Sequence, residues 1–222
     1  MPLVTDIVLA VAAYLLGSIP FGFLLVKYVR KEDIRQQGSG NIGATNVVRS
    51  GAKGLGALTF LLDACKGAAA VLVCGWLGGW LGGWLGVHSP LGAVPASQAL
   101  AIGAIFAILG HIYPVWLGFK GGKGVATAFG VFIALAPLPA LCSLGLFVLL
   151  FAVFRYVSLG SIVATAAFPA FAWFLPGRPQ GAFMWGVIFF VAVLVIYKHR
   201  QNIVRLLRGT EYRFRKPRTE AA

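Results

Sequence analysis

Acidic residues are the scarcest chemical resource in this sequence. Six Asp and Glu face nineteen Lys and Arg in 222 residues, for a formal net charge of +13. Charged residues of both signs reach only 11%, against about 25% in an ordinary soluble domain. Chains this poor in charge are neither soluble enzyme domains nor disordered polar segments. Six carboxylates and three scattered histidines give little material for a metal cluster, so neither metal nor cofactor is expected. The three cysteines, Cys65, Cys74 and Cys142, form no C-x-x-C pair and lie in apolar runs. That excludes a disulfide scaffold and points to small core residues. The N-terminus lacks the basic region of a cleavable signal, so the first apolar run is read as a retained span.

What is present is apolar: 59% of the residues are hydrophobic. Runs of membrane length lie at Leu3–Val26, Leu55–Trp76, Ala96–Trp116, Val125–Ala136, Ala140–Phe154, Leu159–Leu175 and Ala182–Tyr197, which predicts an all-α polytopic membrane protein. The fourth and fifth are short because Pro137 and Pro139 interrupt them; proline removes a backbone donor and breaks a helix. Basic residues collect on the cytoplasmic side of membrane proteins. Seven crossings with the N-terminus outside place eighteen of the nineteen cations inside and leave only Arg178 outside. Fusing the two short runs would move Arg155 and the basic tail outside. The reading is therefore about seven helices, N-terminus out and C-terminus cytoplasmic, in a single domain over 1–222, with a mobile basic tail from about residue 209. Sorted by side, the positive charge is mostly a topology signal, and nucleic acid drops out as a partner. The repeat Trp76-Leu-Gly-Gly, Trp80-Leu-Gly-Gly, Trp84-Leu-Gly places glycines on one helix face for close packing and tryptophans on another as an interfacial belt.

Several polar motifs fall on the inner face. Gly38-Ser39-Gly40-Asn41-Ile42-Gly43-Ala44-Thr45-Asn46, followed by Arg49, combines a close-approaching backbone, hydroxyl and amide groups and a guanidinium fork suited to phosphate. Lys120-Gly121-Gly122-Lys123-Gly124 runs directly into an apolar helix, whose unpaired N–H groups favour an anion; the spacing is not that of a P-loop. His199 and Asn202 share a helix face at the end of the last span. Asp63 and Lys66, three apart near the inner end of the second span, either neutralise each other or position the cationic site. Ser158 and Ser161 sit at the next inner turn, within reach of the same region, and His111 is read as support for the glycine-lysine loop. No nucleophile motif is visible, and no acid stands five residues after any histidine: those positions hold Ala93, Trp116 and Val204. The sequence thus lacks a base dyad but is rich in charge-stabilising groups, which suits a reaction between already activated phosphorylated substrates. A membrane transporter for small phosphorylated anions is the alternative. It is disfavoured by the absence of an internal repeat, the odd crossing number and the clustering of the glycine motifs on one face.

These motifs, together with Gly17-Ser18-Ile19-Pro20-Phe21-Gly22, Asp63-Ala64-Cys65-Lys66-Gly67, Gly110-His111-Ile112-Tyr113-Pro114 and His199-Arg200-Gln201-Asn202, resemble in content and order the bacterial integral-membrane glycerol-3-phosphate acyltransferases that use acyl phosphate (the PlsY type). The resemblance runs over nearly the whole chain. It implies a seven-helix fold in the bacterial inner membrane with a cytoplasmic active site, and transfer of an acyl group from acyl phosphate to glycerol-3-phosphate in phospholipid synthesis. Lysophosphatidic acid and phosphate would be the products. It further implies that Arg49, Lys123, His199 and Asn202 carry the reaction, and that Ser39, Thr45 and Asn46 help hold the phosphates and the glycerol. Gly121 and Gly122 would give backbone donors to the acyl phosphate. Gly40, Asn41, Lys66, Lys120, Ser158 and Ser161 complete the expected substrate-binding set. Membrane lipid surrounds the chain, and a soluble enzyme that makes acyl phosphate is a candidate partner for the basic inner loops.

Overall fold

Proline makes the first break. Pro20 has no backbone N–H to continue a helix, so the first apolar run divides into α1 (Pro2–Ser18) and α2 (Phe21–Arg30) rather than forming one continuous helix. The break leaves the Ile19 carbonyl available, and Lys66 donates its ammonium to it at 2.7 Å. The computed structural model describes residues 2–84, 96–177, 179 and 181–214, without the side chains of 2 and 81–84. His88, Arg178, Arg215, Lys216, Arg218 and the Trp84 side chain, which the sequence reading used, lie outside the described residues.

The remaining helices are α3 (Ala44–Arg49), α4 (Lys53–Trp84), α5 (Ala96–Ile112), α6 (Val125–Leu135), α7 (Pro137–Phe154), α8 (Val157–Phe174), α9 (Ala182–Lys198) and α10 (Arg200–Leu207). Among the described residues there is no strand. Among the described residues five helices or helix pairs are long and apolar enough to span a bilayer, and α9 with α10, bent by 55°, makes a sixth if the pair is one span. The seventh apolar helix, α6, has 11 residues. It rises only about 16 Å, roughly half a bilayer core. Its end at Ala136 and the start of α7 at Pro137 keep the two short runs apart, as the sequence predicts. The prolines stand in the first turn of α7, where a missing N–H costs little.

α1 packs on α5 and α4, α4 on α6 and α5, and α7 on α8. The buried core between them is built from small and branched side chains, including Ala104, Ala107, Ile108, Val131, Val191 and Val195. The opposite faces expose Leu72, Leu149, Val153 and Val193, apolar surface suited to lipid. The tryptophan repeat lies on α4: Gly78 packs against Ala99, while Trp76 and Trp80 stack outward, ring centroids 6.3 Å apart. Cys74 is a core residue, but Cys65 is exposed and Cys142 partly so, so only one cysteine meets its expectation.

The tightest contact fixes the short helix. A Cβ on Gly130 of α6 would strike the Ala64 carbonyl of α4, and one on Gly67 would strike the Thr127 carbonyl. Adding volume to a close-packed contact costs about 1–3 kcal/mol. Gly130→Ala is expected to push α6 off α4, lowering the unfolding temperature in detergent by several degrees. An unchanged transition would show that the two backbones have room to separate.

Candidate active site

The loop before α3 is tied together by one amide. Asn46, fully buried, accepts from the Ser39 N–H at 2.8 Å and from its hydroxyl at 3.2 Å. Its own NH₂ group faces the carbonyls of Ile34, Gln37 and Asn41 at 3.1, 2.9 and 2.8 Å. Asn41 accepts from the Gly43 N–H. The Asn46 amide is thus spent on the loop and is not free to hold a ligand, although its edge lines the cavity. Gly40, at φ +69°, supplies a left-handed turn that costs other residues energy; it shapes the loop and does not face the cavity.

The glycine-lysine loop also departs from expectation. The Gly121 N–H donates to the Ile112 carbonyl at 3.2 Å and the Gly122 N–H to the His111 carbonyl at 3.1 Å. Neither N–H is free for a substrate. Both glycines are needed for space: a Cβ on Gly121 would meet the His111 carbonyl, and one on Gly122 the His111 imidazole. His111 therefore backs this loop, and its Nδ1 lies 3.7 Å from the Asp63 carboxylate. Asp63 in turn pairs with Lys66 at 2.8 Å. Lys66 is buried at the α1–α2 break and does not line the cavity, whereas its partner Asp63 and His111 do. Lys120 is exposed and lies off the cavity as well.

The groups that do converge come from five segments. Lys123 donates to Asn202 Oδ1 at 2.6 Å, and Asn202 Nδ2 donates to Glu211 Oε1 at 2.8 Å. Glu211 also accepts from Ser158 Oγ at 3.0 Å and from Arg205 Nε at 2.7 Å. Arg49 lies 3.7 Å from it, with its guanidinium over the Tyr212 ring at 4.2 Å. His199 donates Nδ1–H to the Val195 carbonyl at 2.8 Å. Because that carbonyl can only accept, the neutral imidazole is left with Nε2 as an acceptor. Burial brings the Lys123 ammonium down to about 8; Glu211 opposes that fall, and Arg205 and Arg49 add to it. Burial works to raise the Glu211 carboxyl, but the hydrogen bonds from Asn202, Arg205 and Ser158 hold it below the usual range.

Glu211 and Arg205 escape the sequence reading. Glu211 is the only acid between Asp63 and Glu220, and that isolation in a basic tail is the one signal that could have marked it. The described part of the basic tail, residues 209–214, is laid back across α7 and α8: the Phe214 N–H donates to the Arg155 carbonyl at 3.0 Å and Arg213 to the Phe154 carbonyl at 3.2 Å.

One cavity of about 340 Å³ opens beside these groups. Its polar end is lined by Ser39, Asn41, Thr45, Lys123, Ser158 and His199, and Ser161 lies along the same wall. α6 begins there, so the N–H groups of its first turn, which have no intrahelical partner, and the positive end of its dipole meet the cavity. From that end the cavity continues between α6, α7 and α8 along Phe129, Leu144, Phe147 and Ala164. A cationic pocket joined to an apolar groove accepts an amphiphile with an anionic head. Among the described residues no group of His, Cys, Asp and Glu could hold a metal ion.

Residues 7–209 match the family model described as glycerol-3-phosphate acyltransferase. A glycerol-3-phosphate acyltransferase of Syntrophotalea carbinolica is 47% identical over 94% of this chain and 97% of its own length. That of Geobacter sulfurreducens is 45% identical over 96% and 100%. The crystal structure of PlsY, an integral membrane glycerol 3-phosphate acyltransferase, in its glycerol 3-phosphate form superposes with a TM-score of 0.78 at 41% identity, covering 95% of this chain and 96% of that one. Its lysophosphatidic acid form gives 0.76. A family match over this span, with relatives so similar along nearly their whole length, places the chain in the glycerol-3-phosphate acyltransferase family.

Proposed function

We propose that this protein transfers a fatty acyl group from acyl phosphate to the 1-hydroxyl of glycerol-3-phosphate, releasing lysophosphatidic acid and inorganic phosphate. The observation that carries this reading is the cavity with Lys123 at its polar end and an apolar groove behind it. Glycerol-3-phosphate as acceptor agrees with the ligand in the PlsY relative's crystal. Acyl phosphate is the donor that suits the chemistry: it is already activated, and its head is a phosphate that Lys123, Arg49 and the first turn of α6 can hold.

The hydroxyl oxygen attacks the acyl carbonyl, the bond from that carbon to the phosphate oxygen breaks, and the proton passes to a phosphate oxygen. Lys123 and Arg49 stabilise the charge on the leaving phosphate. Asn202 holds the Lys123 ammonium. His199, with Nε2 as acceptor, orients the glycerol, and Ser39 and Thr45 line its approach. The bundle lies in the bacterial inner membrane with the N-terminus outside and this site in the cytoplasm, an orientation supported by the side-sorted cations. The exposed basic loops, Lys120 among them, face a soluble enzyme that makes acyl phosphate.

The test is incubation of the purified protein with glycerol-3-phosphate and either acyl phosphate or acyl-CoA. Lysophosphatidic acid from acyl phosphate alone is expected. Product from neither donor would overturn the reaction, and product from acyl-CoA alone would overturn the donor.

A further inference from the structure

The apolar groove has an end, and two aromatic rings make it. On α6 the cavity-lining residues stop at Phe132, on α8 at Phe168, and on α7 none precedes Ala140. These positions meet at the same depth. The Phe132 and Phe168 rings stack with centroids 3.7 Å apart and planes 8° from parallel. Both are nearly inaccessible, at 5% and 1% exposure, and beyond them Ala136 and Ala172 are fully buried. Along α8 the stretch from Val157 at the polar end to Phe168 rises about 16 Å.

We propose that the Phe132–Phe168 stack is the floor of the acyl groove and sets the longest acyl chain the enzyme transfers well; this rests on the acyl-phosphate reading above. The polar end fixes the reacting carbonyl beside Lys123, so the chain is measured from a fixed point. Methylenes lining the groove gain from burial up to the stack, whereas the next one must displace a packed ring or bend out toward lipid. A single methylene too many or too few in a shaped apolar pocket changes discrimination by on the order of tenfold or more. Ala164 faces the same groove one helical turn nearer the polar end, so bulk added there would shorten it.

A competition assay separates this from a loss of folded protein. The full-length enzyme in detergent micelles receives an equimolar mixture of saturated acyl phosphates, from decanoyl to octadecanoyl, with glycerol-3-phosphate. The lysophosphatidic acids formed are then quantified by mass. Product ratios within one tube depend on relative kcat/KM and not on how much enzyme is active. Phe168→Ala is expected to raise the ratio of the longest to the shortest product by about tenfold, with Phe168→Leu giving a smaller shift in the same direction. Ala164→Leu should lower the ratio. If the Phe168 variants leave the ratio unmoved, or Ala164→Leu moves it the same way as they do, the stack is not the floor. A wild-type enzyme giving no product from any chain length would instead remove the acyl-phosphate reaction itself.

Discussion

Replacing Lys123 with methionine is expected to lower kcat/KM by on the order of a thousandfold and to leave the unfolding temperature unchanged or raised. The two directions follow from one fact. The Lys123 ammonium is half-buried, and burial brings it down to about 8, so the folded protein holds this proton more weakly than the unfolded chain does. That cost to stability is complete below about pH 8 and fades as pH rises toward the ordinary lysine value, 10.5; methionine of similar length removes it. What methionine cannot do is meet a phosphate. The same value predicts a pH dependence. Above about pH 8 the free enzyme loses the Lys123 charge, and KM for the phosphorylated substrates should climb, approaching tenfold per pH unit. kcat should hold further into alkali, because a bound phosphate favours the protonated amine. Lys123→Arg, charged throughout this range, should flatten that alkaline limb. Steady-state kinetics between pH 6.5 and about 9.5 check both points. A limb that persists unchanged in the arginine variant would assign it to another group.

The apolar runs, the break at Ala136 and the gathering of Arg49, Lys123, His199 and Asn202 are legible in the sequence because each rests on local pattern. Hydropathy marks a span, and proline marks an interruption. Where the reading goes astray, two uses share one pattern. Glycines between lysines suit an anion cradle, but they equally suit a loop pressed against a histidine, and Gly121 and Gly122 serve the second purpose. Asn46 in a polar loop reads as a ligand group until its bonds to Ser39 and three carbonyls are seen. Lys66 reads as a site cation, yet the carbonyl it serves, that of Ile19, is 47 residues distant. The opposite error concerns Glu211. Nothing local predicts that a short basic tail turns back, because the partners that bury Glu211 are supplied by α3, α8 and α10. The cations of the site consequently have a matching acid, which composition by side could not reveal.

Removing that acid should have the largest structural effect of any single change at the site. Glu211→Ala would leave Arg205, Asn202 and Ser158 without their shared acceptor and Arg49 without its counter-charge. Its side chain is 1% exposed, as against 15% for Arg49 and 38% for Arg205. Losing one member of a buried charged cluster costs about 3–5 kcal/mol. Water can reach Arg205 once the carboxylate is gone, which discounts the loss to about 3 kcal/mol, or an unfolding temperature lower by roughly 5–10 °C. Salt should not mask the effect, because the pairs are largely shielded from solvent ions. Glu211→Gln keeps an acceptor for Asn202 and Ser158 but not the charge, so its loss should be smaller. Its activity defect should fall on KM, through a displaced Arg49. The sign with pH follows from the lowered carboxyl. The stabilisation is complete above the ordinary glutamate value, 4.5, and disappears as pH falls through the lower folded value. The gap in stability between the wild-type and alanine proteins should therefore stay constant from neutrality down to about pH 4.5 and close as the pH falls further. Wild-type and alanine proteins with the same unfolding temperature at about pH 7 would mean that the segment 209–214 is held by Phe214 and Arg213 alone, and that the carboxylate contributes nothing to closing this end of the bundle.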